Sequence, residues 1–101
     1  MSIELHEQRL LLAGVLDHAS VPALRAQAAQ LVRQAVGPHL QIDCSGVTRA
    51  NSAGLALVLA IMRDAGQAGK TFSVEHLPAD MQQMAHVCEL AAVLQPEPQT
   101  R

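Results

Sequence analysis

The stretch from Ile42 to Lys70, IDCSGVTRANSAGLALVLAIMRDAGQAGK, limits what this chain can fold into more than any other. It reads as a buried strand, a short polar loop and a helix that is apolar on nearly every side. Leu40 and Ile42 share one face of a strand over 39–44, which Ser45-Gly46 breaks. The loop from Cys44 to Asn51, with Thr48 and Arg49, sets small polar groups between the most apolar segments. Ser52 stands where a helix N-cap belongs, its hydroxyl near unpaired backbone N–H groups. Beyond it Leu55, Val58, Leu59 and Met62 fall on one side, ample for packing on a sheet. Leu57 and Ile61 fall roughly opposite, with Ala53, Ala60 and Ala68 near them. A domain of 101 residues has too little protein to bury both sides of such a helix. The second stripe is therefore expected to dock a partner protein.

The remaining chain supplies a scaffold. Ile3-Glu4-Leu5-His6 alternates with the period of a half-exposed strand, and Glu7-Gln8-Arg9 is a short turn. Leu10 to Leu16 is continuous and apolar, the pattern of a strand covered on both faces. Ser20 is a second N-cap candidate, with Pro22 in the first turn, and Val21, Leu24, Ala28, Leu31 and Ala35 step with helical spacing until Gly37-Pro38. Thr71 to His76 alternates as a further strand. Met81, Met84, Ala85, Cys88 and Ala92 repeat as a last amphipathic helix. The order ββαβαβα implies right-handed crossovers and an α/β fold, a mixed, mostly parallel four-stranded sheet with helices packed against it. One domain over 1–94 and a disordered polar tail over 95–101 are expected.

Composition narrows function by exclusion. Phe72 is the only aromatic residue, so no stacking platform for nucleic acid exists. The formal charge is -2 with the basic residues scattered, which speaks against polyanion binding. Cys44 and Cys88 do not make a disulfide framework and read as reduced thiols of a cytosolic protein. Met1-Ser2-Ile3-Glu4 lacks a basic leader, and no apolar run reaches the ~18–20 residues of a membrane span, so no direct membrane insertion is expected. The five histidines show no metal-ligand spacing, no phosphate or dinucleotide loop occurs, and Cys44 has no base placed beside it. The chain reads as a binding protein rather than an enzyme, with neither cofactor nor metal. At Ser52 a phosphate would be favoured by the helix start, which makes that residue a candidate modification site as well as a contact.

Gly14-Val15-Leu16-Asp17, then Ile42-Asp43-Cys44-Ser45-Gly46-Val47, then Asn51-Ser52-Ala53-Gly54-Leu55 together resemble the STAS domain, over about residues 3 to 94. Within that family, Gly54 to Leu59 look most like the small cytoplasmic (MlaB-type) STAS subunit of Mla-type ABC transporters. Those complexes move phospholipids between the membranes of Gram-negative bacteria and maintain outer-membrane lipid asymmetry. The resemblance implies a non-enzymatic subunit that binds and supports the ATPase, in a complex with a permease and a lipid-binding MCE-type protein. It places the chain in the cytoplasm, peripheral to the inner membrane. The implied contact centre is Ser52 with Thr48, Arg49, Asn51, Ala53 and Gly54, joined by Leu57 and Ile61. The alternative it implies is an anti-sigma-factor antagonist whose Ser52 is phosphorylated by an anti-sigma factor kinase. Asn51 stands where the family usually has Asp; an amide still accepts hydrogen bonds but carries no charge.

Overall fold

A computed structural model describes residues 2–87 of the chain. β1 (Ser2–His6) and β2 (Arg9–Leu16) pair antiparallel about a turn at Glu7, whose φ is 59°. They are followed by α1 (Val21–Gln34), β3 (His39–Ala50), α2 (Ser52–Gln67), β4 (Thr71–Glu75) and α3 (Ala79–Val87). The sheet order is β1-β2-β3-β4, with β2–β3 and β3–β4 parallel. The fold is thus the α/β arrangement that the alternation of strand and helix patterns predicts. The continuation of the last helix to Ala92 and the tail over 95–101 lie outside the described residues.

Each parallel connection moves one strand further in the same direction, so crossovers of one hand put α1 and α2 on the same face. That face holds the core: Leu10, Leu12 and Leu16 of β2, Leu40, Ile42 and Cys44 of β3, and Val74 of β4 meet Leu24, Ala28 and Val32 of α1 and Met81 and Ala85 of α3. Continuous apolarity in β2 therefore does not mean cover on both sides. Leu11 and Ala13 point to the face opposite the described helices and are half-buried, and Val15 is 41% exposed. Polar pairs finish that outer face. The His39 ring lies 2.7 Å from the Thr71 hydroxyl and 3.1 Å from that of Ser73, and Arg9 sits 3.7 Å from the carboxylates of both Asp43 and Glu75.

Two further expectations are corrected. Ser45-Gly46 does not end β3, which runs on to Ala50 in register with β2. Between the pairs Leu11–Asp43 and Ala13–Gly46, and again between Gly14–Val47 and Val15–Arg49, β3 advances one residue more than β2. Such irregularities let a strand absorb a Ser-Gly break and re-aim its side chains. Thr48 and Arg49 thus lie on a strand rather than in a loop. The expected second stripe of α2 is also not a surface: Leu57 is 1% exposed and Ile61 0%. α1 and α3 both pack on α2 while β3 and β4 lie beneath it, so the two residues belong to the core. Among the described residues no helix is long and apolar enough to cross a membrane.

Candidate functional site

Among the described residues each helix begins where a parallel strand ends, and this gathers the starts of α1, α2 and α3 at one edge of the sheet. In open parallel sheets that edge is the usual seat of ligands. Two glycines let the pieces close up there. A Cβ on Gly46 would stand 2.9 Å from Ala13 Cβ and 3.0 Å from the Leu12 carbonyl oxygen; one on Gly54 would stand 3.0 Å from both Ala50 Cβ and Leu16 Cβ. Gly54 thus allows the first turn of α2 to rest directly on the ends of β2 and β3. The Asn51 N–H ties the same point to the Leu16 carbonyl at 3.1 Å.

The cap of α2 is Asn51, not Ser52. Asn51 is extended, and its side-chain oxygen accepts from the Ala53 N–H at 2.8 Å. Asn and Ser cap about equally well, so their adjacency in the sequence conceals which one does so. Ser52 becomes the first helical residue, and its hydroxyl is released from capping and exposed. At the start of α1, Ser20 is buried and also does not cap. Its Oγ donates to the Val15 carbonyl at 2.9 Å and accepts from the Asp17 N–H at 3.1 Å. The Asp17 carboxylate accepts the Ser20 N–H at 2.9 Å, and this bond first, with the Ser20 hydroxyl and the Ala19 N–H, holds its pKa below the usual value despite opposing desolvation.

Asp43 and Cys44 are buried neighbours with structural roles. Burial pushes the Asp43 carboxyl up, but the Ser45 N–H at 2.9 Å, the Ser45 hydroxyl and the His76 ring at 3.2 Å outweigh it, and the net pKa is lowered. Cys44 faces the core. Desolvation, with the adjacent Asp43 charge, drives its thiol up to about 12, so it holds no thiolate at neutral pH and is a poor nucleophile. Among the described residues no three His, Cys, Asp or Glu side chains come together as metal ligands.

Of the eight residues singled out from the sequence, Thr48, Arg49, Asn51 and Ser52 face outward, whereas Ala53, Gly54, Leu57 and Ile61 are buried. Ser52 opens onto a hollow of about 470 Å³ between α2 and α3, lined by Ala50, Leu55, Asp80, Gln83, Met84 and Val87. A second hollow, of about 350 Å³, adjoins it through Ala50 and Asp80 and brings in Val15, Asp17, Arg49 and Asn51. Thr48 lines neither. The α3 residues are the part that sequence reasoning missed. Met84 was legible as helical periodicity, but Asp80 could be placed only by noticing that the third helix must start at the same edge as the other two. Chemically the corner offers a hydroxyl, a guanidinium, a carboxylate and an apolar trough, which suits recognition of a protein surface.

A family model described as the Mlab STAS domain matches residues 1–96. No curated protein matches the chain. Among solved structures it is similar to an anti-sigma factor antagonist from Mycobacterium paratuberculosis, with 24% identity, a TM-score of 0.71 and coverage of 95% of this chain and 84% of that one. The unphosphorylated anti-sigma factor antagonist SpoIIAA is similar at 19% identity and a TM-score of 0.68, over 89% of this chain and 81% of that one. The phosphorylated SpoIIAA of Bacillus, a cell fate determinant, is similar at 21% identity and a TM-score of 0.65, over 88% and 83%. At these identities the likeness is one of fold.

Proposed function

The chain belongs to the STAS domain family, in the form its matching model describes, and from that membership we propose that it is the ATPase-binding STAS subunit of an Mla-type phospholipid-transport ABC complex. Its part there is to dock on the ATPase and support its assembly and turnover, without hydrolysing ATP itself. The complex includes a permease and a lipid-binding MCE-type protein, and the subunit sits on the cytoplasmic side of the inner membrane. The observation that carries the reading is the exposed Ser52 hydroxyl, freed by Asn51 and set beside an apolar trough. A side chain held this way costs the fold nothing to present and is available to a partner. Arg49 and Thr48, exposed near the end of β3, extend the contact.

The test is co-purification with the ATPase from native membranes, using Ser52→Arg and Arg49→Glu. Both variants should fold like the unmodified chain and lose the ATPase; full retention by both would sink the reading. Leu57 and Ile61 are unsuited to this test because charge there attacks the core.

A second reading is an anti-sigma-factor antagonist whose Ser52 is phosphorylated by an anti-sigma factor kinase. It is favoured by the solved relative described in a phosphorylated form and by the exposure of Ser52 at a helix start, where the positive end of the helix dipole favours a phosphate. Incubation with the kinase and ATP should then add one phosphate by intact mass, lost in Ser52→Ala. An unchanged mass, with no sigma-factor regulator captured, would remove it.

A further inference from the structure

Among the described residues that line the larger hollow, Asp80 is the one charged side chain; the others are Ala50, Leu55, Met84 and Val87, with neutral Ser52 and Gln83. The adjoining hollow adds Asp17 and Arg49, so among the described residues the joined surface carries two acids against one base. Among the described residues Asp80 enters no ion pair, and Arg49 none either. Of the three large apolar side chains that stand exposed among the described residues, Val15 at 41% and Val87 at 84% lie in these hollows. Along α3, Asp80, Met84 and Val87 follow at spacings of four and three, so they form one stripe running from a charge to an apolar end. A trough with two helical walls, an adaptable methionine and a lone anion at one end has the form of a groove that receives a helix.

We infer that the groove between α2 and α3 is the seat of an amphipathic helix of the partner ATPase, which lays apolar side chains against Leu55, Met84 and Val87 and sets a lysine or arginine against Asp80. The inference rests on the docking reading above and names the chemistry of the partner segment. Charge complementarity selects that occupant over an acidic or purely apolar helix: an acidic helix would meet Asp80 and Asp17 with like charge, and a purely apolar one would bury the Asp80 carboxylate unpaired. Ser52, at the charged end, sits where the basic side chain arrives. Phosphorylation there would add a second anion to the groove.

Binding of the purified chain to the purified ATPase, measured by calorimetry at low and high salt, tests this. Asp80→Lys should weaken binding at least tenfold, and Asp80→Asn should weaken it less and flatten its salt dependence. Val87→Glu, altering an exposed side chain, should weaken it comparably; circular dichroism checks that each variant folds. Unchanged affinity and salt dependence in all three, while Ser52→Arg fails to bind, would overturn the groove and leave the docking reading standing. No binding by the unmodified chain would overturn both. Variants that bind the ATPase normally but lose self-association in sedimentation would show the groove to be a homotypic interface and also overturn the proposal.

Discussion

The inward and outward sides of the β3–α2 unit use similar residues to opposite ends. Inward, Leu57, Val58 and Ile61 vanish beneath α1 and α3; on the sheet's far face the Asp43 carboxylate, also buried, is held by Ser45 and His76. Outward, Ser52, Ala56, Arg63 and Gln67 form the exposed stripe of the same helix, and Arg49 projects from the strand before it. Apolarity alone does not separate the two sides. What separates them is whether a group's demand is met inside the chain: a buried polar atom has its partners, whereas the Ser52 hydroxyl has been left for something else by a cap one residue earlier.

The largest expected contrast is a charge placed on each side of α2. Ile61→Asp puts a carboxylate into a fully buried site and should cost more than about 4 kcal/mol, enough to unfold a marginally stable domain. Ala56→Asp, on the exposed stripe, should stay within about 0.5 kcal/mol. Urea unfolding of the two variants measures the difference; equal effects would dissolve the distinction between the sides. Asp43 comes next. Asp43→Ala strips the Ser45 N–H of its buried acceptor and should cost roughly 1–3 kcal/mol. Because its folded pKa lies below the ordinary value of about 3.9, its ionised form stabilises the fold above that pH, and the contribution drains away as the pH falls from about 4 through the folded value. Asp43→Asn should therefore flatten the acid side of a stability–pH curve recorded from pH 7 to 3. An acid limb as steep as that of the unmodified chain would place Asp43 outside the set of groups satisfied within the chain.

How far these sides were legible in the sequence depends on range. Strands and helices showed through their periods of two and 3.6, and Gly46, Asn51, Ser52 and Gly54 marked the corner, since each answers a local demand of turn, cap or close approach. Leu57 and Ile61 were misread because cover by α1 and α3 is a tertiary fact that no spacing within α2 records. β3 was cut short because Ser45-Gly46 looks like a break to any local rule, while pairing with β2 carries the strand across it. The Asp80 end of the groove was invisible for the same reason: its neighbours in space are distant in the chain.

Gly54 and Gly66 bring the comparison down to a methyl group within one helix. At Gly54 an added Cβ meets two Cβ atoms at 3.0 Å, whereas at Gly66 it meets nothing within 4 Å. Overpacking at Gly54 costs about 1–3 kcal/mol against about 1 kcal/mol recovered from helix propensity, so Gly54→Ala should destabilise by about 1 kcal/mol. Gly66→Ala should stabilise by roughly 0.5–1 kcal/mol. Thermal unfolding checks the opposite signs. A stabilising Gly54→Ala would mean that α2 can lift off the strand ends, and the corner would then not be held as described.

The smallest stability effect belongs to the residue with the most functional weight. Were Ser52 the cap, Ser52→Ala would cost about 1 kcal/mol. With Asn51 capping through its contact with the Ala53 N–H, the same change should stay within about 0.5 kcal/mol, and Asn51→Ala should carry the 1 kcal/mol instead. Unfolding midpoints of the two variants, measured beside their capture of the ATPase, separate scaffold from contact. Asn51→Ala should lower the midpoint, and Ser52→Arg should abolish capture at nearly unchanged stability. If Ser52→Ala instead lowers the midpoint as much as Asn51→Ala, the hydroxyl is part of the fold's own hydrogen bonding. The outward side of α2 would then have to find its contact elsewhere, with Arg49 and the Asp80 groove the remaining candidates.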